Sequence, residues 1–194
     1  MSLGVSTACA IRADNGEAHC WGSDTHNQVA EVPEGVAFTT LGVGDYHVCG
    51  LRAADGEVEC WGSEFNSQIS SAPNGVPFTS LSVGRRTNCA IRADNSLVEC
   101  WGYNGENLVS QAPASVELSA VSVEDVGCAI RADNSQLLCW GGHGTPNAAI
   151  SPAPLTVPFM KVSSTYDAGC GLLADSGRLL CWGGYQYNPH LRTP

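Results

Sequence analysis

The sequence predicts an all-β fold, a five-bladed β-propeller, and three observations lead to that prediction. The dipeptide Trp-Gly occurs five times, at spacings of 40, 40, 39 and 42 residues. A cysteine precedes each of these tryptophans, and a second cysteine stands eleven residues before the first. Between these units, short strand-like segments alternate with turns rich in Gly and Pro, and no helical periodicity is visible. The repeated tryptophans are Trp21, Trp61, Trp101, Trp140 and Trp182.

Each pair of cysteines brackets a predicted β-hairpin. Turn-forming residues such as Asp14-Asn15-Gly16 occupy its centre, so the two cysteines fall opposite each other in an antiparallel ladder. Cα atoms in that position lie about 4.5–5.5 Å apart, which is within reach of a disulfide. Zinc is the rival interpretation, but zinc-binding cysteines are typically spaced Cys-x2-Cys rather than Cys-x10-Cys. We therefore predict one disulfide per blade: Cys9–Cys20, Cys49–Cys60, Cys89–Cys100, Cys128–Cys139 and Cys170–Cys181.

The other face of the hairpins carries opposite charges across the ladder. The same register sets Arg12 opposite Glu17 and Arg52 opposite Glu57. Opposite charges directly across an antiparallel pair stabilise it. The register thus predicts a cross-strand ion pair in each of these two hairpins.

The two ends of the chain predict how the ring closes. Leu3-Gly4-Val5 matches Leu41-Gly42-Val43, and Pro194 follows Trp182 at the distance at which Pro33 follows Trp21. We expect the N- and C-terminal segments to pair and complete one blade between them. Residues 1–194 would then form a single propeller domain.

Composition and charge exclude two classes of function. The 194 residues include 9 Lys+Arg and 19 Asp+Glu, a formal net charge of −10. Such a chain has no basic surface with which to bind a phosphate backbone, so no nucleic-acid partner is expected. No apolar run approaches the roughly 20 residues of a membrane helix, so no membrane span is expected. The ten regularly spaced cysteines favour a secreted or otherwise extracytoplasmic location, although no leader peptide is visible at the N-terminus.

The segment 43–62, Val-Gly-Asp-Tyr-His-Val-Cys-Gly-Leu-Arg-Ala-Ala-Asp-Gly-Glu-Val-Glu-Cys-Trp-Gly, resembles the repeat of the regulator of chromosome condensation family. The resemblance weakens after Trp-Gly, where that family usually continues Asn-x-x-Gly-Gln-Leu-Gly. Here Gln28 and Gln68 remain, whereas Leu108 and Ala148 replace the glutamine. The resemblance implies a propeller, usually of seven longer blades. It does not imply the nuclear member's exchange-factor activity, which depends on insertions for which this chain has no room.

No constellation of residues in the sequence predicts catalysis. The five histidines occupy unrelated repeat positions and lack the spacing of a metal site. Nucleophile-elbow, P-loop and paired-carboxylate motifs are missing, and the Asp-Asn-Gly turns lack the alternating acidic ligands of a calcium loop. We therefore expect no enzymatic activity, no cofactor and no metal.

The loops that precede the hairpins predict a binding surface for a protein partner. They differ between repeats while the frame stays constant, and loops on a rigid scaffold commonly carry function. Rotational symmetry should bring them to one rim of the ring. Arg85 and Arg86 form the only Arg pair in the sequence, and with Tyr46 and Tyr166 they are the expected anchors, unless both arginines merely balance nearby acids. The predicted partner-binding residues are Tyr46, His47, Arg85, Arg86, Glu124, Asp125, Tyr166 and Asp167.

The loops that follow Trp-Gly support an alternative function. A multivalent lectin would present similar small sites between blades, with aromatic platforms and polar side chains for a glycan, and would gain avidity by repetition. Loops that nothing constrains also vary between repeats, and the sequence leaves these interpretations open. The alternative ligand-binding residues are Asp24, His26, Glu64, Phe65, Tyr103, Asn104, His143, Tyr185 and Tyr187.

Overall fold

The computed structural model describes residues 1–142, 153–166 and 168–183, which form five three-stranded antiparallel sheets. Each sheet is one propeller blade, and its strands pair in chain order. The strands are β1 (Ser2–Leu3), β2 (Thr7–Ile11) and β3 (Ala18–Gly22) in blade one; β4 (Phe38–Val43), β5 (His47–Arg52) and β6 (Val58–Gly62) in blade two; β7 (Phe78–Val83), β8 (Thr87–Arg92) and β9 (Val98–Gly102) in blade three; β10 (Leu118–Val123), β11 (Gly127–Arg131) and β12 (Leu137–Trp140) in blade four; and β13 (Phe159–Ser164), β14 (Ala168–Leu173) and β15 (Leu179–Gly183) in blade five. The predicted all-β fold with five blades is confirmed.

The second and third strands of each blade form the predicted hairpin. The two cysteines of each hairpin face each other in the register, with Cα–Cα distances of 4.0–4.1 Å. The described residues include all ten cysteines, and all of them are paired as predicted. One disulfide therefore closes each blade.

The predicted cross-strand ion pairs are only partly present. Arg52 binds Glu57 at 3.2 Å, but it also binds Asp55 in the turn at 2.7 Å. Arg12 binds Asp14 at 2.7 Å, so the prediction that it pairs with Glu17 is wrong. Arg12 binds Asp14 rather than Glu17 because both carboxylate oxygens of Asp14 accept hydrogen bonds from its guanidinium.

The hydrophobic core lies between neighbouring blades. On the side that faces the preceding blade, the tryptophan packs beside a phenylalanine, as Trp61 does with Phe38 at a ring-centroid distance of 5.6 Å. In blades two, three and four, the indole Nε1–H donates to a backbone carbonyl of the loop that follows the preceding Trp-Gly. These bonds run from Trp61 to Gln28 at 3.0 Å, from Trp101 to Gln68 at 3.0 Å and from Trp140 to Leu108 at 2.9 Å. Blades two to five thus bury their tryptophans against the blade before them.

The first and last blades each carry an apolar side chain that is more exposed than its counterparts in the described parts of the other blades. Trp21 is 43% exposed, whereas Trp61, Trp101, Trp140 and Trp182 are 3–6% exposed. At the other end of the series, Leu179 in blade five is 58% exposed. The predicted N-terminal contribution to the ring is present as β1, which pairs with β2 in blade one. The C-terminal contribution falls in residues 184–194, outside the described residues.

We expect the oxidised chain to contain almost no free thiol. Titration of the denatured, unreduced protein with a thiol reagent should therefore give a value near zero. Reduction should lower the melting temperature, because each bridge closes a loop of about a dozen residues and constrains the unfolded chain by about 3 kcal/mol. Five or more reactive thiols per chain would contradict the pairing.

Removing the indole donor of a buried tryptophan should destabilise the protein, and removing that of Trp21 should not. Trp101→Phe keeps an aromatic ring in the core but deletes the hydrogen bond to the Gln68 carbonyl, which should cost about 1–3 kcal/mol of unfolding free energy. Trp21→Phe is the matched control, since its Nε1 donates to no acceptor within the described part of the chain, and should cost under about 0.5 kcal/mol. Urea unfolding at low protein concentration measures both values. Equal losses would contradict the exposed position of Trp21.

Candidate functional site

The two sets of variable loops lie at the same end of the blades. Each hairpin is antiparallel, so the loop before its first strand and the loop after its second strand leave the sheet together. Their backbones are hydrogen bonded: Ser63 N donates to Tyr46 O at 2.8 Å, and Tyr103 N donates to Arg86 O at 2.9 Å. We call this end of the blades, formed by both loop sets, the loop rim. The two predicted sites, which the sequence presented as alternatives, therefore share one surface.

A cavity of about 230 Å³ opens on the loop rim across blades three, four and five. Five of its lining residues belong to the predicted protein-binding set, and Tyr103 belongs to the predicted lectin set. Thr87 and Glu106 also line it and were not predicted. The eight lining residues are Arg85, Arg86, Thr87, Tyr103, Glu106, Glu124, Asp125 and Tyr166.

Arg85 joins the loops of three successive blades. Its Nε binds Asp45 Oδ2 at 3.2 Å, and its Nη1 binds Asp125 Oδ2 at 3.4 Å. Its backbone N–H donates to Glu124 Oε2 at 2.8 Å. Because both of its ion pairs are internal, Arg85 organises the rim, and its charge is already balanced by neighbouring acids.

Arg86 has a different environment from its neighbour. Its guanidinium lies over the ring of Tyr103, 5.5 Å from the centroid, in a cation–π contact. The side chain is exposed, and no carboxylate within the described residues lies within ion-pair distance of it. Arg86 is therefore a positioned cation on the rim that remains available to a partner.

Glu124 is partly buried beside other acids. Burial, together with the nearby charges of Asp125 and Asp45, raises the pKa of the Glu124 carboxyl from 4.5 to about 7. The backbone N–H of Arg85 and the Arg85 charge act in the opposite direction but do not cancel these effects. The Glu124 carboxyl consequently changes charge near neutral pH.

An aromatic cluster lies on the part of the loop rim formed by blades one and two. The His26 ring lies 4.5 Å from the Tyr46 ring and 5.6 Å from the Phe65 ring, measured between centroids. Phe65 is 77% exposed, and Tyr46 is also exposed. The cluster again combines both loop sets, because Tyr46 precedes a hairpin while His26 and Phe65 follow Trp-Gly.

Three of the predicted glycan-binding residues are engaged inside their own loops. The Asp24 carboxylate accepts backbone N–H groups five and six residues later, at 2.7 and 3.1 Å. Asn104 Oδ1 does the same at 2.9 and 3.0 Å, and the Glu64 carboxylate accepts the N–H of Ile69 at 2.9 Å. These oxygens shape the loops by satisfying backbone donors, and that use leaves them less free to bind a glycan.

His47 is not on the surface. It is fully buried between blades two and three, and its ring Nε2 lies 2.8 Å from Asn88 Oδ1. Asn88 Nδ2 donates to the Gln68 carbonyl, so Asn88 Oδ1 accepts and the His47 proton lies on Nε2. Burial lowers the pKa of the His47 imidazole. The prediction that His47 lies on the rim is therefore wrong, because its side chain is part of the core.

The remaining residues of the two predicted sets lie outside the described residues: Asp167, His143, Tyr185 and Tyr187. Of the two lining residues that were not predicted, Thr87 could have been found from the sequence, because Thr7 occupies the same repeat position in blade one. Its hydroxyl donates to the Tyr103 carbonyl at 2.6 Å, and Thr7 makes the equivalent bond to Ser23 at 2.9 Å in blade one. Glu106 had no such signal, because His26 and Asn66 occupy its position in the two preceding repeats.

Within residues 1–142, 153–166 and 168–183, no group of three or more His, Cys, Asp or Glu side chains has the geometry of a metal site. The same part of the chain contains no helix with the length and hydropathy needed to cross a bilayer.

Fold and rim together define a class of protein, the all-β propeller, here with a disulfide in every blade. No protein-family model matches the chain, and no curated protein matches it. Among solved structures, it is similar to the ectodomain of the receptor kinase CR4 from Physcomitrella patens, with a TM-score of 0.82 and 28% identity over 94% of this chain and 52% of that one. It is also similar to the CRINKLY WD40 ectodomain of the Arabidopsis thaliana receptor kinase ACR4, with a TM-score of 0.80 and 24% identity over 94% of this chain and 64% of that one.

A third similar structure connects the fold to the resemblance noted in the sequence. Prp20p from Saccharomyces cerevisiae, the yeast RCC1, matches with a TM-score of 0.68 and 16% identity over 92% of this chain and 56% of that one. The structural neighbours therefore include a propeller of the regulator of chromosome condensation type. The chain spans about half to two thirds of the length of these three neighbours.

Replacing Glu124 by glutamine should remove one component of the pH dependence of stability. The Glu124 pKa in the folded state, about 7, is above its ordinary value of 4.5, so folding favours the protonated form. The Glu124 carboxyl makes its full contribution to the free energy of unfolding below pH 4.5, where it is protonated. This contribution is lost as the pH rises to about 7. Glu124→Gln cannot ionise, and its side-chain carbonyl still accepts the Arg85 N–H.

Urea midpoints of Glu124→Gln and wild type, measured in parallel between pH 4.5 and 8, test this prediction. The difference should grow in favour of the variant up to about pH 7 and then level off, because the other titrating groups are common to both proteins. A difference that does not change with pH would contradict the raised pKa of Glu124.

Proposed function

We propose that this protein is a non-catalytic extracellular recognition module that binds a protein partner through the loop rim. One observation carries the proposal: the rim presents a positioned cation that forms no ion pair within the described residues, and an exposed aromatic cluster on the same surface. Arg86 with Tyr103 supplies the first, and His26, Tyr46 and Phe65 supply the second. Arg and Tyr are among the residues that most often dominate the energy of protein interfaces.

The extracellular assignment rests on the cysteines and on the structural neighbours. All ten cysteines form disulfides, which persist in oxidising compartments. Two of the similar structures are receptor-kinase ectodomains, and neither is an enzyme domain. A net charge of −10 further disfavours a nucleic-acid partner.

The two arginines at the centre of the proposed interface have separate roles. Arg85 holds the loops of blades two, three and four together through Asp45 and Asp125. Arg86 makes no such ion pair in the part of the chain that the structure describes, and it is available to an acidic or carbonyl group of the partner. Of the pair singled out in the sequence, Arg86 is therefore the anchor and Arg85 the support.

The lectin alternative has less support. Equivalent glycan sites would need free polar groups at equivalent positions. The side-chain oxygens of Asp24, Glu64 and Asn104 instead accept hydrogen bonds from backbone N–H groups. The clusters on the rim also differ from blade to blade, whereas avidity by repetition requires similar sites. A composite face for one partner accounts better for both observations.

Photo-crosslinking can identify the partner and locate the interface in one experiment. A photoreactive phenylalanine at position 65 should capture a protein from the secreted and cell-surface fraction of the source organism. The same group at position 176, in a hairpin turn at the opposite end of blade five, should not capture it. Capture at both positions, or glycan-array binding that free sugar abolishes, would contradict a protein interface on the loop rim.

With the captured partner, Arg86→Ala should raise the Kd at least tenfold, which is about 1.4 kcal/mol. Arg12→Ala is the matched control, because this arginine is also exposed but lies beside a hairpin turn, away from the rim. It should leave the Kd unchanged by titration calorimetry. Similar losses in the two variants would show that net charge, rather than the position of Arg86, determines binding.

A further inference from the structure

The cavity on the loop rim has a cation and a partly buried carboxyl in the same lining, those of Arg86 and Glu124. Its volume of about 230 Å³ is smaller than the roughly 300–1,000 Å³ of pockets that enclose drug-sized ligands. The cavity therefore suits one small group, such as a single side chain of a partner. The group that fits best depends on the charge and the hydrogen bonding of these two residues.

The two oxygens of the Glu124 carboxyl have different environments. Oε2 accepts the backbone N–H of Arg85 at 2.8 Å, and this is the only hydrogen bond that the carboxyl makes within the described ranges of the chain. Because Oε2 is already in use as an acceptor, a proton on this carboxyl belongs on Oε1. The protonated Glu124 thus adds an O–H donor to the lining of the cavity.

The surroundings of Glu124 keep this proton in place up to neutral pH. Burial is the main cause of its raised pKa of about 7, and the charges of Asp125 and Asp45 add to it against the charge of Arg85. Both aspartates are themselves paired with Arg85. Glu106 is the other acid of the cavity lining, and its charge is common to every variant used to test the site. The cavity therefore gains a donor when Glu124 is protonated and a further negative charge when it is ionised.

We propose that the cavity binds a carboxylate of the partner, with Arg86 as the cation and protonated Glu124 as a hydrogen-bond donor, and that ionisation of Glu124 weakens this binding. The inference rests on the proposed function, because it specifies the group that the partner presents to Arg86. Hydrogen bonds from a guanidinium or a carboxylic O–H to a carboxylate are short and strong. Ionisation of Glu124 removes one donor and sets two negative charges against each other. The rim should consequently bind an acidic group more tightly in a mildly acidic medium than in an alkaline one.

Titration with a blocked amino acid tests the cavity without a known partner. The probe is glutamate blocked as its N-acetyl α-amide, whose side chain is ionised at both pH 5.5 and pH 8, since its pKa is about 4.3. The Arg85 backbone amide signal in ¹H–¹⁵N NMR spectra reports binding, because this N–H donates to Glu124. If only the protonated form binds, a folded-state pKa of about 7 should raise the Kd about tenfold from pH 5.5 to pH 8. The equally blocked glutamine has the same shape without the charge and should cause no shift.

Three variants assign the effect to the two residues. Glu124→Gln retains an N–H donor but cannot ionise, so its Kd should stay near the wild-type value at pH 5.5 and should not change up to pH 8. Arg86→Ala should abolish the shift at both pH values. Arg12→Ala is the matched control, because this arginine is also exposed but lies beside a hairpin turn, and it should behave as the wild type does.

Four outcomes would overturn the proposal. They are no saturable shift with the blocked glutamate at either pH, a Kd that falls as the pH rises, binding of blocked lysine in its place, and an undiminished pH dependence in Glu124→Gln. None of them would contradict the protein-binding function of the rim. That function is decided separately, by capture of a partner at position 65 and by the effect of Arg86→Ala on its Kd.

Discussion

Insertion of the tryptophans of blades two to five against the preceding blade is the contact on which the rest of the structure depends. A three-stranded blade has apolar side chains on both faces and cannot bury them alone. The indole fills the space between two blades, and its N–H needs an acceptor when it is buried. A carbonyl at Gln28, Gln68 or Leu108 meets that need. Since this carbonyl belongs to a Trp-Gly loop, the same contact that forms the core also fixes the loop rim.

The electrostatics of the rim follow from this arrangement. Stacking of blades two, three and four brings Asp45, Arg85 and Asp125 within ion-pair distance although about forty residues separate each from the next. Three carboxyls around one arginine leave an excess of negative charge, and burial makes the ionised form of Glu124 less favourable still. Arg86 makes no ion pair with this group and lies over the Tyr103 ring instead. Neighbours in the sequence thus have different electrostatic environments.

The disulfides act at a different level from the tryptophans. Each closes a hairpin locally and limits the freedom of the unfolded chain, whereas the tryptophans join one blade to the next. The salt bridges between Arg12, Arg52, Arg92 and Arg131 and the aspartates of their own turns are likewise local and exposed. Exposed pairs of this kind contribute little to stability, about 0–1 kcal/mol each. Cohesion between blades comes from buried apolar surface and the indole hydrogen bonds.

The sequence by itself determined the blade number, the strand class, the hairpin register and the five cysteine pairs, because all of these are local and are repeated at a constant interval. It also located both sets of variable loops. Only the tertiary structure decided that those sets form one rim, that His47 is buried against Asn88, and that Arg85 is balanced while Arg86 is not. The burial and charge balance of these residues arise from partners in other loops and blades, many of them about forty residues away. A pattern read within one repeat contains no information about those partners, since the distances that decide burial and ion pairing exist only once the blades have stacked.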